Sequence, residues 1–173
     1  MGVVRLLLGR KDINPNTRSK TGQAPLLLAS KKGHYGVVQV LLEREDVNPD
    51  MPDDNGQTPL SWAARGAHDE VVKLLLGRED VNYHTPDNGG RTPLSWAASN
   101  EKHGVLRLLL WREDVSSDIP DNRGRTPLSW AAESGHDGVA ELLLGREDVN
   151  PNMSDLNGRT SLSWAADNGH DGE

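Results

Sequence analysis

The chain reads Thr-Pro-Leu-Ser-Trp-Ala-Ala at residues 58–64, and the same seven residues return at 92–98 and at 126–132. A near copy, Thr-Ser-Leu-Ser-Trp-Ala-Ala, occupies residues 160–166. The interval is 34 residues each time, and 17 of the 34 columns are identical when the three units that carry the exact copies are aligned. Agreement on this scale excludes chance, so the chain is an array of one repeated unit.

The repeated unit accounts for the whole length of 173 residues. We predict four full units, at residues 22–55, 56–89, 90–123 and 124–157. The first is divergent, because it reads Ala-Pro-Leu-Leu-Leu at 24–28. Residues 1–21 align with the second half of a unit and residues 158–173 with the first half. The two ends are apolar, at residues 3–8 and 162–166, whereas a stacked array needs polar caps. We therefore expect fraying or self-association through these uncapped ends.

Each unit contains signals for two short helices and a turn. Thr58 is a suitable N-cap, and Pro59 suits the first helical position, where its missing N–H does no harm. Gly66, or its equivalents Gly33, Gly135 and Gly169, is expected to end the first helix of each unit, and an apolar second helix follows from Val71. Arg78 is predicted in the last turn of the second helix, where a cation stabilises the helix dipole. Two such helices cannot bury their own apolar faces, so each unit depends on its neighbours.

The repeated motif of residues 58–64, followed by Val71-Val72-Lys73-Leu74-Leu75-Leu76 and Asp80-Val81-Asn82, resembles the ankyrin repeat. The resemblance implies an all-α, ankyrin-type helical solenoid with short finger loops. Ser61 stands where the family has histidine, which leaves open how neighbouring units are tied together. The tryptophan-containing version is similar to ankyrin arrays common in fungi.

The resemblance also implies a binding scaffold that contacts another protein through its finger loops and the concave face of its first helices. On the family pattern, a basic column on this face comprises Arg91, Arg125 and Arg159, with Gln57 at the equivalent position. These arginines either bind acidic side chains of a partner or are neutralised by nearby aspartates, and both interpretations stay open.

Positions that vary between units are the better candidates for specificity, because identical columns serve the stack. Beside the first helices and at the finger tips these candidates are Arg65, Ser99, Asn100, Glu133, Asn88, Asn122 and Arg123. Tyr83 adds an aromatic side chain to one finger. Trp111 replaces the glycine of neighbouring units, and it either anchors a partner or covers an adjacent unit.

Two other columns invite a functional interpretation that their repetition disfavours. The four tryptophans at 62, 96, 130 and 164 could form an aromatic ladder for a ligand, but a repeated apolar column favours helix packing. The histidines at 34, 68, 136 and 170 could suggest a metal site. Equivalent atoms of stacked helices lie about 8–10 Å apart, too far to share one ion, so we expect no metal and assign these side chains to local helix-start hydrogen bonds.

A catalytic role is not expected. Ser129, His136 and Asp137 could be read as a triad, yet the same set recurs as Ser61, His68 and Asp69 and again as Ser163, His170 and Asp171. Catalytic groups are seldom repeated once per structural unit, and no nucleophile elbow accompanies them. We expect neither catalytic residues nor a cofactor.

Composition narrows the remaining functions. There are 26 acidic and 19 basic residues, a formal charge of −7, which disfavours a nucleic-acid partner. No apolar run is long enough for a membrane span, and we expect an intracellular protein in the cytoplasm or nucleus. The leading hypothesis is a protein-binding scaffold, and the alternative is a spacer within a larger regulatory protein whose activity lies elsewhere.

Overall fold

The computed structural model describes residues 2–170, in which short helices are joined by turns and loops. Their bounds are α1 Val3–Leu8, α2 Pro25–Lys31, α3 Tyr35–Leu42, α4 Pro59–Gly66, α5 Asp69–Leu76, α6 Pro93–Ser99, α7 His103–Leu110, α8 Pro127–Ser134, α9 Asp137–Leu144 and α10 Ser161–Asn168. No strand occurs among the described residues beyond one isolated bridge between Ser154 and Thr160. The all-α repeat solenoid expected from the sequence is confirmed.

The helices form two rows. The first helices of successive units, α2, α4, α6, α8 and α10, pack side by side, and the second helices pack behind them. Leu60, Val72 and Leu75 are completely buried between the rows, as are Leu106 and Leu109 two helices further on. Each unit therefore completes its core only with the apolar side chains of its neighbours.

The start of the first helix forms as predicted. Thr58 has extended backbone angles, its hydroxyl accepts a hydrogen bond from Ser61 N, and Pro59 is the first helical residue. Ser61 Oγ lies 3.2 Å from Thr58 Oγ1 and is buried, so it serves its own unit. The serine column leaves most ties between units to other groups.

Three local predictions were wrong. Gly135 and Gly169 end α8 and α10 in the left-handed conformation as predicted, but Gly66 remains within α4, where the left-handed residue is Ala67, with φ 57°. Arg78 lies beyond the end of α5, and its guanidinium donates 2.9 Å to the carbonyl of Leu42, the last residue of the preceding second helix. His68 makes no helix-start bond; its Nε2 lies 3.2 Å from the Lys31 carbonyl of the preceding unit.

The arginine contact is a repeated inter-unit tie, which we call the arginine clip. Arg44, Arg112 and Arg146 each donate in the same way to the last carbonyl of the preceding second helix, at 3.1, 3.2 and 2.9 Å. Each guanidinium also binds the aspartate two residues further on. A helix terminus leaves its last carbonyls without partners, and the clip supplies a charged donor to one of them.

A second inter-unit tie varies in chemistry along the array. Asn16 Oδ1 accepts a hydrogen bond from Asn48 N at 2.9 Å, and its Nδ2 donates to the Asp46 carbonyl at 2.6 Å. One unit later, Asp50 Oδ2 accepts from Asn82 N at 2.8 Å, but Asp50 Oδ1 is buried without a donor. Burial raises the pKa of Asp50, and the charge of Asp80 adds a smaller effect in the same direction.

Asp50→Asn is expected to raise the free energy of unfolding at pH 7 by about 1 kcal/mol, because the amide can make both bonds that Asn16 makes. The raised pKa means that the folded state binds the proton of Asp50 more tightly than the unfolded state. The contribution of Asp50 to stability is then fully present below the ordinary aspartate pKa and is lost as pH rises through the raised value. Urea unfolding should give the variant a higher free energy of unfolding than wild type at neutral pH, and the difference should disappear at acid pH. A difference that does not change with pH would contradict this.

Candidate functional site

The turn before each first helix is organised by an aspartate. Asp87 Oδ1 accepts hydrogen bonds from the backbone N–H groups of Gly89 and Arg91, both at 2.9 Å, and its Oδ2 accepts the indole N–H of Trp96 at 3.0 Å. Asp53 and Asp155 hold Trp62 and Trp164 in the same way. The carboxylate therefore closes the turn and also fixes the indole against it.

The four indoles are only partly buried, and cations fill the gaps between them. Lys31 Nζ lies 3.9 Å from the ring centre of Trp62. The guanidinium carbons of the arginines lie between 3.3 and 5.7 Å from successive rings: Arg65 at Trp62 and Trp96, Arg91 at Trp96 and Trp130, Arg125 at Trp130 and Trp164, and Arg159 at Trp164. These distances are those of cation–π contacts. We call this surface the ladder face.

The tryptophan column thus differs from the helix-packing interpretation. An indole buried between helices would be enclosed by apolar side chains, whereas here each ring has a cation on at least one face and three donate to a turn aspartate. Trp130 is the exception, since its Nε1 is buried without an acceptor among the described residues. Its turn aspartate, Asp121, faces Arg125 instead, at 3.6 Å.

The cations of the ladder face fall into two groups. Arg125 is buried and forms ion pairs with Asp121 and, at 2.9 Å, with Glu133. Arg159 pairs with Asp167 at 2.6 Å. Lys31, Arg65 and Arg91 have no carboxylate within 4.0 Å among residues 2–170. Three cations therefore remain on this surface without an acidic partner.

Burial shifts the pKa of Arg91 away from the ordinary value for arginine. Its guanidinium is half-buried between two indoles, and burial, followed by the neighbouring charge of Arg125, lowers the pKa of Arg91 to about 10. A base whose pKa is lowered by folding keeps its charge at pH 7 at a cost to stability. The desolvation of this charged guanidinium therefore opposes folding in neutral solution.

We expect Arg91→Gln to raise the melting temperature at pH 7, because the array already holds Gln57 at the equivalent position, 4 % exposed. The neutral amide removes the desolvation cost and the repulsion from Arg125. Arg159→Gln at the end of the same column is the control, since Arg159 has its own carboxylate and should gain nothing. A melting temperature lowered by Arg91→Gln would contradict this account.

The remaining predicted site residues divide between the scaffold and the accessible surface. Gln57 and Arg125 are buried, 4 % and 7 % exposed, which corrects their placement on an open face. Asn88 and Asn122 lie at the finger tips as expected, but their amides donate to carbonyls of the preceding turn at 3.0 and 2.9 Å. Arg123 is exposed.

Ser99 and Asn100 both donate to the Trp96 carbonyl, at 3.3 and 2.9 Å, so they complete the end of their own helix. Tyr83 donates to Asp114 of the next unit and lies under the Arg112 guanidinium, 4.4 Å from it. Trp111 is 89 % exposed, so it does not cover an adjacent unit. Its role as an anchor stays a prediction.

Sequence reasoning missed Lys31 as a member of the ladder face. The signal was available, because position 31 precedes position 65 by 34 residues and both carry a cation. The divergent Leu28 at the tryptophan position of that unit obscured the relation.

Two further findings concern membrane spans and metal sites. No helix within residues 2–170 has the length and hydropathy that a bilayer crossing requires. In the same part of the chain, no three histidine or acidic side chains lie close enough together to hold one ion. Asp171 of the third triad considered above lies outside the described residues.

Comparison with known families agrees with the repeat geometry. A family described as ankyrin repeats, in three copies, matches residues 1–87, 45–119, 72–155 and 104–172. No curated protein matches the chain. Members of this family are generally protein–protein interaction modules. The overlapping matches cover nearly every residue, and the chain belongs to the ankyrin-repeat family.

Proposed function

We propose that this chain is a protein-interaction scaffold that binds its partner on the ladder face and the neighbouring finger tips, without catalysis. The observation that carries the proposal is the set of ladder cations without carboxylate partners, Lys31, Arg65 and Arg91. Arg is enriched in binding hot spots, and a partly exposed indole supplies a large contact area beside it.

The chemistry of the serine column supports a role without catalysis. Ser129 is 1 % exposed, and its Oγ lies within 3.2 Å of Thr126 and 3.3 Å of Ser161. A nucleophile must reach a substrate, whereas this hydroxyl is enclosed by two others. Ser61 and Ser95 are completely buried, each beside the threonine hydroxyl of its own unit.

Affinity capture tests the scaffold with a matched pair of variants. Arg65→Glu/Arg91→Glu reverses two charges on the ladder face, and Lys73→Glu/Arg107→Glu reverses two on the exposed side of α5 and α7. Circular dichroism first establishes that both are folded. Proteins retained by wild type and by the second-helix variant, but lost from the ladder-face variant, are the expected result. Equal retention by all three would contradict the proposal.

A spacer that stacks on further ankyrin units is the second candidate. Leu162 is 77 % exposed, whereas its equivalents Leu60, Leu94 and Leu128 are at most 4 % exposed because the next unit covers them. Val3 at the other end is 70 % exposed. Self-association through these surfaces should make the solution mass rise with concentration, and Leu162→Lys should abolish the rise. A concentration-independent monomer would contradict the self-association.

A further inference from the structure

Two columns of residues spaced by 34 supply every cation of the ladder face. Along the chain, one column reads Gln23, Gln57, Arg91, Arg125 and Arg159. The other reads Lys31, Arg65, Ser99, Glu133 and Asp167, and so passes from basic through neutral to acidic. Each unit combines one member of each column, because the two positions are eight residues apart.

The combination leaves charge on one half of the ladder only. The pairs Gln23 with Lys31, Gln57 with Arg65 and Arg91 with Ser99 each carry one positive charge. In the last two units the arginine is neutralised within the pair, by Glu133 on Arg125 and by Asp167 on Arg159. Summed over these pairs alone, the N-terminal half carries three positive charges and the C-terminal half carries no net charge.

The turn aspartates do not alter this difference. Each unit from residue 53 onward has one, and Asp53, Asp87 and Asp155 are all bonded to two backbone N–H groups and an indole N–H. Their contribution is thus common to both halves. What distinguishes the halves is whether an additional carboxylate lies against the ladder cation.

We propose that the N-terminal half of the ladder face, at Lys31, Arg65 and Arg91, binds an acidic, extended segment of a partner protein. This inference rests on the proposed scaffold function and specifies its partner. Unpaired cations held against aromatic rings complement carboxylates, and charge complementarity selects partners more strongly than it adds affinity. The exposed Arg123 at a finger tip adds a further cation beside Arg91, across a cleft of about 330 Å³.

The spacing of the cations indicates which acidic segments fit. One cation lies at each successive indole, and neighbouring helices pack about 8–10 Å apart. A polyproline II segment advances about 3.1 Å per residue and returns to the same face every third residue, or about 9 Å. Glutamate at every third position therefore matches the cations in register, with proline rings left to pack on the indoles.

Fluorescence anisotropy with a labelled peptide of Glu-Pro-Pro triplets tests the inference. Arg65→Ser/Arg91→Gln, which copies Ser99 and Gln57 of neighbouring units, should weaken binding about tenfold. Arg159→Gln/Asp167→Ser makes the same replacements in the neutral half without changing net charge, and should leave affinity within about twofold. A Gln-Pro-Pro peptide should bind wild type at least about tenfold more weakly.

Three results would overturn the inference. These are equal losses in both double variants, a thymidine oligonucleotide of matched charge that binds as tightly as the peptide, and no binding of the acidic peptide to wild type. If the peptide fails while affinity capture still loses proteins from Arg65→Glu/Arg91→Glu, the acidic preference is wrong and the scaffold stands. If capture is also unaffected, both proposals fall.

Discussion

Gly90→Ala is expected to destabilise the array by about 3 kcal/mol, one of the two largest effects of a single substitution. Gly90 ends a turn with φ 82°, where a side chain adds strain of about 1–2 kcal/mol. A Cβ would also lie 2.5 Å from the backbone nitrogen of Asn122 in the following turn. Because Asn122 N donates to the Gly89 carbonyl, relief of the clash would break a tie between turns.

Urea unfolding of Gly90→Ala beside Gly158→Ala separates the two causes. Gly158 has nearly the same φ, 76°, but a Cβ there meets nothing within 4 Å. The control should lose only the conformational strain, about 1 kcal/mol. Equal losses in the two variants would show that the close approach of successive turns contributes nothing.

Arg125→Ala should be the second large effect, a loss of about 3–5 kcal/mol, because it leaves two carboxylates without their cation. The Arg125 side chain is 8 % exposed and that of Asp121 is 4 % exposed, so water cannot replace the guanidinium easily. Arg159→Ala, in the same column but in an exposed pair, should cost no more than about 1 kcal/mol. Chemical denaturation of both variants provides the comparison.

A charge exchange distinguishes the loss of the pair from the loss of packing. Arg125→Gln/Glu133→Arg copies Gln57 and Arg65, so a cation again lies between Trp130 and Trp164. This variant should recover most of the stability lost in Arg125→Ala. Failure to recover would mean that the position of the cation matters more than its presence.

The fold was predictable because its determinants are local and repeated. Thr58 and Pro59 set the start of each first helix by capping and fixed φ, and both act within a few residues of themselves. The end of that helix was less predictable, because Ala67 adopts the left-handed conformation without being glycine. Tertiary contacts, such as His68 with the preceding unit, decide that position.

The ladder face was predicted in part. The Arg91 column and Arg65 were recognised as surface candidates, but separately, because they lie eight residues apart in one unit and only stacking brings them to the same row of indoles. The burial of Gln57 and Arg125 could not be derived either. Arg125, for example, is buried in an ion pair with Glu133, which belongs to the other column.

The arginine clips make the stability of each unit depend on the unit that follows it in the chain. Each clip donates from a later unit to an earlier one, as Arg78 does to Leu42 and Arg146 to Leu110. The ribosome delivers the earlier unit first, so the end of its second helix lacks this donor until its successor emerges. A nascent chain should therefore resist proteolysis in steps of one unit, each unit becoming protected only after the next has been synthesised.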